Sequence, residues 1–398
     1  MSGTEQAVAD APFLWGAASA AHQVEGGNIA SDYWASEHAP SSPQREPSGD
    51  ACDSYYRYRE DMALLADAWL NTYRFSVEWA RIEPEPGEVS RAQLAHYRRM
   101  IEDCLAVGLT PMVTLYHFSA PRWFTAAGGW TAPKAVDRFS RYLDVVAPLV
   151  ADLDWVCTIN EPNMVAMTGW SQVDGALRSR ALPEPDHRVT DALVAAHRRE
   201  MNVVRGLGRP RAGWSIAAQV VQALPGAEDV AAAHAGPRET VFYEAARGDD
   251  FLGVQAYTRC RVGAEGPVVP PPGAELTAIG WEYYPDAIGE ALRTAWHVAG
   301  GTQLVVTENG IATADDTRRI YYLTGALSSV ASAVDDGVDL RGYLVWAALD
   351  NYEWGSFEPT FGLVGVDRQT FARTPKPSLT WLGAVARRGL GALDGRAT

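Results

Sequence analysis

The strongest constraint on this chain is a rhythm. Eight short apolar segments recur along it: Phe13–Ala17, Thr72–Val77, Thr110–Tyr116, Trp155–Ile159, Ala212–Ala218, Phe251–Ala256, Gln303–Thr307 and Gly342–Trp346. Between most of them lies an amphipathic pattern with apolar residues at i, i+3, i+4 and i+7. Tyr55–Ala68 and Gln93–Ala106 show it most clearly, and Arg318–Val334 is another. Strands that alternate with helices pair in parallel. Eight repeats in 398 residues predict a closed (β/α)8 barrel of the TIM type. No glycine fingerprint of a dinucleotide site follows the first strand, which argues against an open doubly wound sheet. The chain shows no linker and no break in composition. Residues 1–398 therefore read as one domain, with 1–11 and 388–398 as flexible tails. Two stretches interrupt the rhythm. Residues 31–54 read as a polar loop, and 259–280 contain Val268-Val-Pro-Pro-Pro272, which cannot be helical. Both follow strands, so both are expected on the face where barrels keep their active sites.

Charge and cysteine usage narrow the partners. The net charge of −15 argues against nucleic acid and anionic membrane surfaces. The start, MSGTEQAVADAP, has neither a basic n-region nor an apolar h-region, and no run approaches a membrane span. Cys52, Cys104, Cys157 and Cys260 lie far apart with no CxxC pair, so a metal site or disulfide framework is not expected. A cytoplasmic address is the expectation.

Two segments carry the same chemical device. Thr158-Ile-Asn-Glu-Pro-Asn163 and Val305-Val-Thr-Glu-Asn-Gly310 each place a Glu at the C-terminal end of an apolar strand. Strands four and seven face each other across a barrel, so Glu161 and Glu308 are expected in one mouth. Glycoside hydrolysis needs such a pair. One carboxylic acid protonates the leaving oxygen, while an ionised partner attacks the anomeric carbon or activates water. The charge of an ionised Glu308 would keep Glu161 protonated nearer neutral pH.

At these residues the sequence resembles glycoside hydrolase family 1, the β-glucosidase and β-galactosidase family. The resemblance runs from about Phe13 to about Leu382. It rests on FLWGAASAAHQVEGG at 13–27, YRFSVEWARIEP at 73–84, TLYHFSAPRW at 114–123, TINEPN, DFLGVQAY at 250–257, VTENG, WAALDNYEW at 346–354 and FGLVGVD at 361–367. The resemblance implies that Glu161 is the acid/base and Glu308 the nucleophile of a retaining mechanism without metal or cofactor. It implies that Asn160 bonds the sugar 2-hydroxyl, and that Gln23 and His117 grip the 3- and 4-hydroxyls. By the same resemblance Glu353 and Trp354 would read the 4- and 6-hydroxyls, Trp346 would form the platform under the ring, and Arg74 and Tyr257 would hold the nucleophile ionised. These residue types suit a sugar, which presents hydroxyls at its edge and C–H groups on its faces.

The sequence also departs from the family pattern. Gln255 stands where Asn is usual, and Ala256 where an aromatic is usual. Phe118 replaces a Trp, Ser119 an acid, and Ala347 a Ser. The extra methylene of Gln255 is expected to shift or remove its contact near the 2-hydroxyl. The chain is short for the family, mainly between strands five and six, where only Leu224–Asp249 lies. The loop Ser171–Leu182 lacks the usual glycine- and proline-containing pattern. Shortened βα loops imply an open leaving-group side. The expected function is a retaining β-glycosidase, best described as a β-glucosidase acting on a small-molecule β-glycoside with a bulky aglycone. No basic side chain follows Glu353 in Trp354–Thr360, which argues against a 6-phosphate. The alternatives are a transglycosidase of the same mechanism and a sugar-binding protein without turnover. Oligomeric state is not legible.

Overall fold

The computed structural model describes residues 12–167 and 182–392. Eight parallel strands close into a barrel. We label them β1 (Leu14–Ala18), β2 (Thr72–Ser76), β3 (Thr110–Tyr116), β4 (Trp155–Asn160), β5 (Arg211–Ala217), β6 (Leu252–Gln255), β7 (Leu304–Glu308) and β8 (Leu340–Trp346). All eight expected segments are strands, each displaced by no more than two residues at either end. Closure is made by β1, which pairs with β8 through Leu14↔Gly342 to Ala18↔Trp346 and with β2 through Gly16↔Thr72 to Ala18↔Arg74. That register brings Arg74 and Trp346 to the same end of the barrel. Close strand approach explains two glycines. A Cβ on Gly16 would meet the Thr72 carbonyl oxygen at 2.0 Å, and one on Gly213 would meet that of Phe251 at 1.9 Å.

Side chains alternate across the wall, as strand geometry requires. Leu14, Met112, Trp155, Cys157, Phe251, Val305 and Leu344 form one cluster that fills the barrel interior. Val156, Leu252, Leu304 and Val306 belong instead to the large core between strands and helices. Short polar side chains cap the N-termini of some helices. Ser90 Oγ accepts from Gln93 N at 3.3 Å before helix Arg91–Ala106, and Asp315 caps Asp316–Asp335 in the same way. Each satisfies a backbone donor that the first turn leaves unpaired.

One expectation about loops needs correction, and the other stretch, non-helical as expected, holds strands. The stretch 31–54 contains a helix, Asp32–Glu37, because Ser31 Oγ accepts from Trp34 N at 3.1 Å. The stretch 259–280 begins with a hairpin, Cys260–Gly263 with Gly266–Val268, joined to Val221–Ala223. Buried Cys260 and Val262 give it an inward face, Pro267 sits in its second strand, and Pro270, Pro271 and Pro272 lie beyond it. The expected tails lie outside the described residues except for 388–392, which end the last helix and form a short 3₁₀ turn. Most of the altered loop Ser171–Leu182 is also outside them; only Leu182 is described. All four cysteines are buried, and none is in a disulfide. Among the described residues no helix is long and apolar enough to cross a membrane, and no cluster of metal-binding side chains occurs.

Candidate active site

Strict alternation would turn both key strand ends the wrong way. In β4, Trp155 and Cys157 face the interior, so Asn160 should face out. The pairing register shifts between Cys157 and Asn160, and the shift re-aims the Asn160 amide into the mouth. In β7, Val305 faces in, so Glu308 should face out. A shift between Val306 and Glu308 against β6 corrects it. Such irregularities let a barrel rim point side chains where pleating would not.

Glu308 is 4 % exposed and held from two sides. Arg74 Nη1 donates to its Oε1 at 2.5 Å, and Tyr257 OH donates to its Oε2 at 2.7 Å. Burial raises its pKa, while the Arg74 guanidinium and the hydrogen bonds from Tyr257, Arg74 and Gln255 pull it back down. Glu161 follows β4 and is the N-cap of the short helix Pro162–Ala166. It is half-buried at the cleft wall. Burial and then the charge of Glu308 push its pKa well up, and Arg74 opposes them weakly. Glu308 therefore ionises first, and Glu161 keeps its proton to higher pH.

Arg74 also organises the floor. Its Nη2 donates to Asn160 Oδ1 at 2.6 Å, and Gln255 Nε2 donates to the same oxygen at 2.9 Å. With its oxygen doubly engaged, Asn160 directs Nδ2 away from both donors. That nitrogen has no partner among the described residues. The added methylene of Gln255 thus carries its amide onto Asn160 and leaves it beside Glu308.

The rim is built from β1, β3 and the segment after β8. Gln23 Nε2 donates to Asn351 Oδ1 at 3.0 Å, Tyr352 O at 2.8 Å and Glu353 Oε2 at 3.3 Å. Trp346 Nε1 donates to Glu353 Oε1 at 3.0 Å. Burial pushes the Glu353 carboxyl up to about 8, against the hydrogen bond from Trp346. Burial holds the His117 imidazole neutral, its pKa well below the usual value. Its ring lies nearly parallel to Trp346 and Trp354, at 6.0 and 6.2 Å. Phe118 packs edge-on against Trp354, and Ser119 Oγ instead donates to buried Glu78 at 2.6 Å.

All eleven expected site residues therefore gather at one end of the barrel. His117, Glu161, Gln255, Tyr257, Glu308, Trp346, Glu353 and Trp354 line one cleft of about 1130 Å³, a volume that includes space open to solvent. Gln23, Arg74 and Asn160 support it from behind through the bonds above. Several supporting residues carried no sequence signal of their own. His22, beside Gln23, stacks on Trp354 at 5.8 Å and pairs with Glu37 at 2.8 Å. Asn309, beside Glu308, donates to Ala256 O at 2.6 Å and accepts from Tyr343 OH at 2.5 Å, tying β6, β7 and β8 together. Trp281 and Phe361 flank Tyr257 at 5.6 and 6.0 Å. His22, Asn309 and Phe361 lie inside quoted motifs that gave them no role, and Trp281 lies outside every one.

The model of Glycosyl hydrolase family 1 matches residues 6–259 and 262–389. Thermostable beta-glucosidase B of Thermobispora bispora is 33% identical over 431 residues, covering 94% of this chain and 90% of that protein. Beta-glucosidase A of Thermotoga maritima is 30% identical over 434 residues, covering 94% and 97%. The crystal structure of beta-glycosidase BGL167 superposes with a TM-score of 0.87 at 42% identity, covering 94% of this chain and 96% of that one. A match over nearly the whole chain, joined to paired glutamates in one barrel mouth, decides the assignment: the protein is a glycoside hydrolase and belongs to glycosyl hydrolase family 1.

Proposed function

We propose that this single-domain protein is a retaining β-glycosidase whose best substrates are β-glucosides. The observation that carries this is the asymmetry between two glutamates in one cleft. Glu308 is clamped by Arg74 and Tyr257 and ionises first, while Glu161 holds its proton. In this reading a Glu308 oxygen attacks the anomeric carbon. Glu161 gives its proton to the glycosidic oxygen as that bond breaks, and the aglycone leaves. Glu161, now ionised, takes a proton from water, which attacks the same carbon and releases Glu308. Two displacements return the sugar with its original configuration.

Relatives bearing the name beta-glucosidase support the sugar preference, as does Glu353, held by Gln23 and Trp346 at the rim. The leaving-group side is expected to take a bulky aglycone. Phe118, Met164, Ile279, Trp281 and Phe361 give the cleft an apolar lining that would suit such a group. Buried thiols outside any disulfide support a reducing, cytoplasmic setting. The test is a panel of nitrophenyl glycosides (gluco, galacto, fuco, xylo, manno) with the first-formed anomer followed by NMR. A first-formed α-anomer from a β-glucoside overturns the retaining assignment. Cellobiose turnover far above that of aryl β-glucosides overturns the bulky aglycone.

A further inference from the structure

The segment Thr158–Asn163 ends on a residue that the proposed chemistry does not use. Asn163 is completely buried. Its Nδ2 donates to Ala217 O at 2.8 Å and to Arg238 O at 2.9 Å, and its Oδ1 accepts from Ala217 N at 3.2 Å. A short amide is thus bonded to both polar groups of one residue on β5 and to a second segment at once.

That grip sits two residues from Glu161, whose backbone is left-handed at φ 44° and ψ 57°. Side chains with a Cβ avoid this region, and such strain persists only where the surroundings enforce it. Two anchors bracket the strained residue, both on β5. Glu161 N donates to Ser215 O at 2.7 Å, and Asn163 holds Ala217. The third partner, Arg238, lies in a single turn of π-helix, Gly236–Thr240, a geometry that recurs at functional sites. The next residue, Glu239, is buried, and its carboxylate accepts from Gln219 N at 2.7 Å and from the Val220 amide. The π turn therefore holds both the helix after Glu161 and the exit of β5, where Ala217, Ala218 and Gln219 line the cleft.

We propose that Asn163 is a positioning residue for Glu161, and that with the π turn behind it Asn163 aims the proton donor at the leaving-group oxygen. This rests on the assignment of Glu161 as that donor, so the first arm of the experiment tests the assignment alone. Glu161→Ala should keep turnover of 2,4-dinitrophenyl β-glucoside, whose leaving group needs no proton, and azide should accelerate it with formation of β-glucosyl azide. Failure there overturns the donor assignment and, with it, the role proposed for Asn163. The second arm reads Asn163→Ala on 2,4-dinitrophenyl and phenyl β-glucosides. A misaimed donor leaves kcat/KM for the first within about 3-fold of wild type. It lowers kcat/KM for the second by roughly 30- to 100-fold, since proton transfer depends on placement. Equal losses on both substrates, or none on either, overturn the proposal. If Asn163→Ala does not fold, Asn163→Asp keeps the volume while removing both donated bonds, and the same split is read from it. Glu239→Gln, which alters the other contact of the π turn, should steepen the leaving-group dependence in the same direction.

Discussion

Gln23 Oε1, His117 Nδ1, Asn160 Nδ2 and Gln255 Oε1 are buried beside the cleft and have no partner among the described residues. An unsatisfied buried polar atom costs about 1–3 kcal/mol. On the proposed function sugar hydroxyls supply these partners, which would favour a sugar over an apolar guest of the same size. Gln23→Leu should therefore lower kcat/KM for aryl β-glucosides by roughly 10- to 100-fold while the protein stays folded, since it removes both an acceptor and the bonds that orient Glu353. A loss below about 3-fold would show that Gln23 serves the fold rather than the substrate. The glutamates respond to each other in the same way. Glu308→Gln should cost on the order of 10⁴-fold in kcat without unfolding the barrel. Because the Glu308 charge raises the Glu161 pKa, that substitution should also move the Glu161 titration to lower pH, as carboxyl ¹³C NMR would record. An unmoved titration would mean that burial alone sets it.

At the scale of elements, the strand positions were legible in the sequence because each strand is a short apolar run set between helical periods. The facing of their last residues was not. Alternation counted from Trp155 and from Val305 turns Asn160 and Glu308 outward, and register shifts at the rim turn them in. A bulge leaves no mark in the residue types of either strand, since it depends on how the neighbouring strands pair. The π turn at Gly236–Thr240 leaves none either, whereas the helix Asp32–Glu37 carries a local one, its Ser31 cap, inside a stretch that reads as loop. The π turn carries a titration of its own. Burial pushes the Glu239 carboxyl from its ordinary 4.5 up to about 7. The folded state therefore binds the proton more tightly than the unfolded chain between those values, and stability contributed by this group falls as pH rises from about 4.5 to about 7. Glu239→Gln cannot ionise, so its Tm should change less than that of wild type across this interval in paired thermal melts. Parallel Tm curves would show that Glu239 titrates with the same pKa in the folded and unfolded chain.

For the whole molecule, closure is the condition that everything else depends on. Eight strands meet only if β5 lies close to β6, and Gly213 supplies that proximity. Gly213→Ala puts a methyl into the Phe251 carbonyl and should destabilise by about 3 kcal/mol or more, or prevent folding, as urea titration would show. A loss below about 1 kcal/mol would mean that the sheet yields locally. The sequence alone determined the alternation of strand and helix, and hence a closed parallel barrel, because periodicity is a local property written into neighbouring residues. It also placed Glu161 and Glu308 at strand ends, since an acid that ends an apolar run can be read without knowing what lies opposite. Only the tertiary structure decided how register shifts turn Asn160 and Glu308 inward, which contacts clamp Glu308, and that Asn163 is tied to β5 and the π turn. Those depend on register, burial and charges brought together from distant parts of the chain, where contact in space rather than order along the backbone sets the energy.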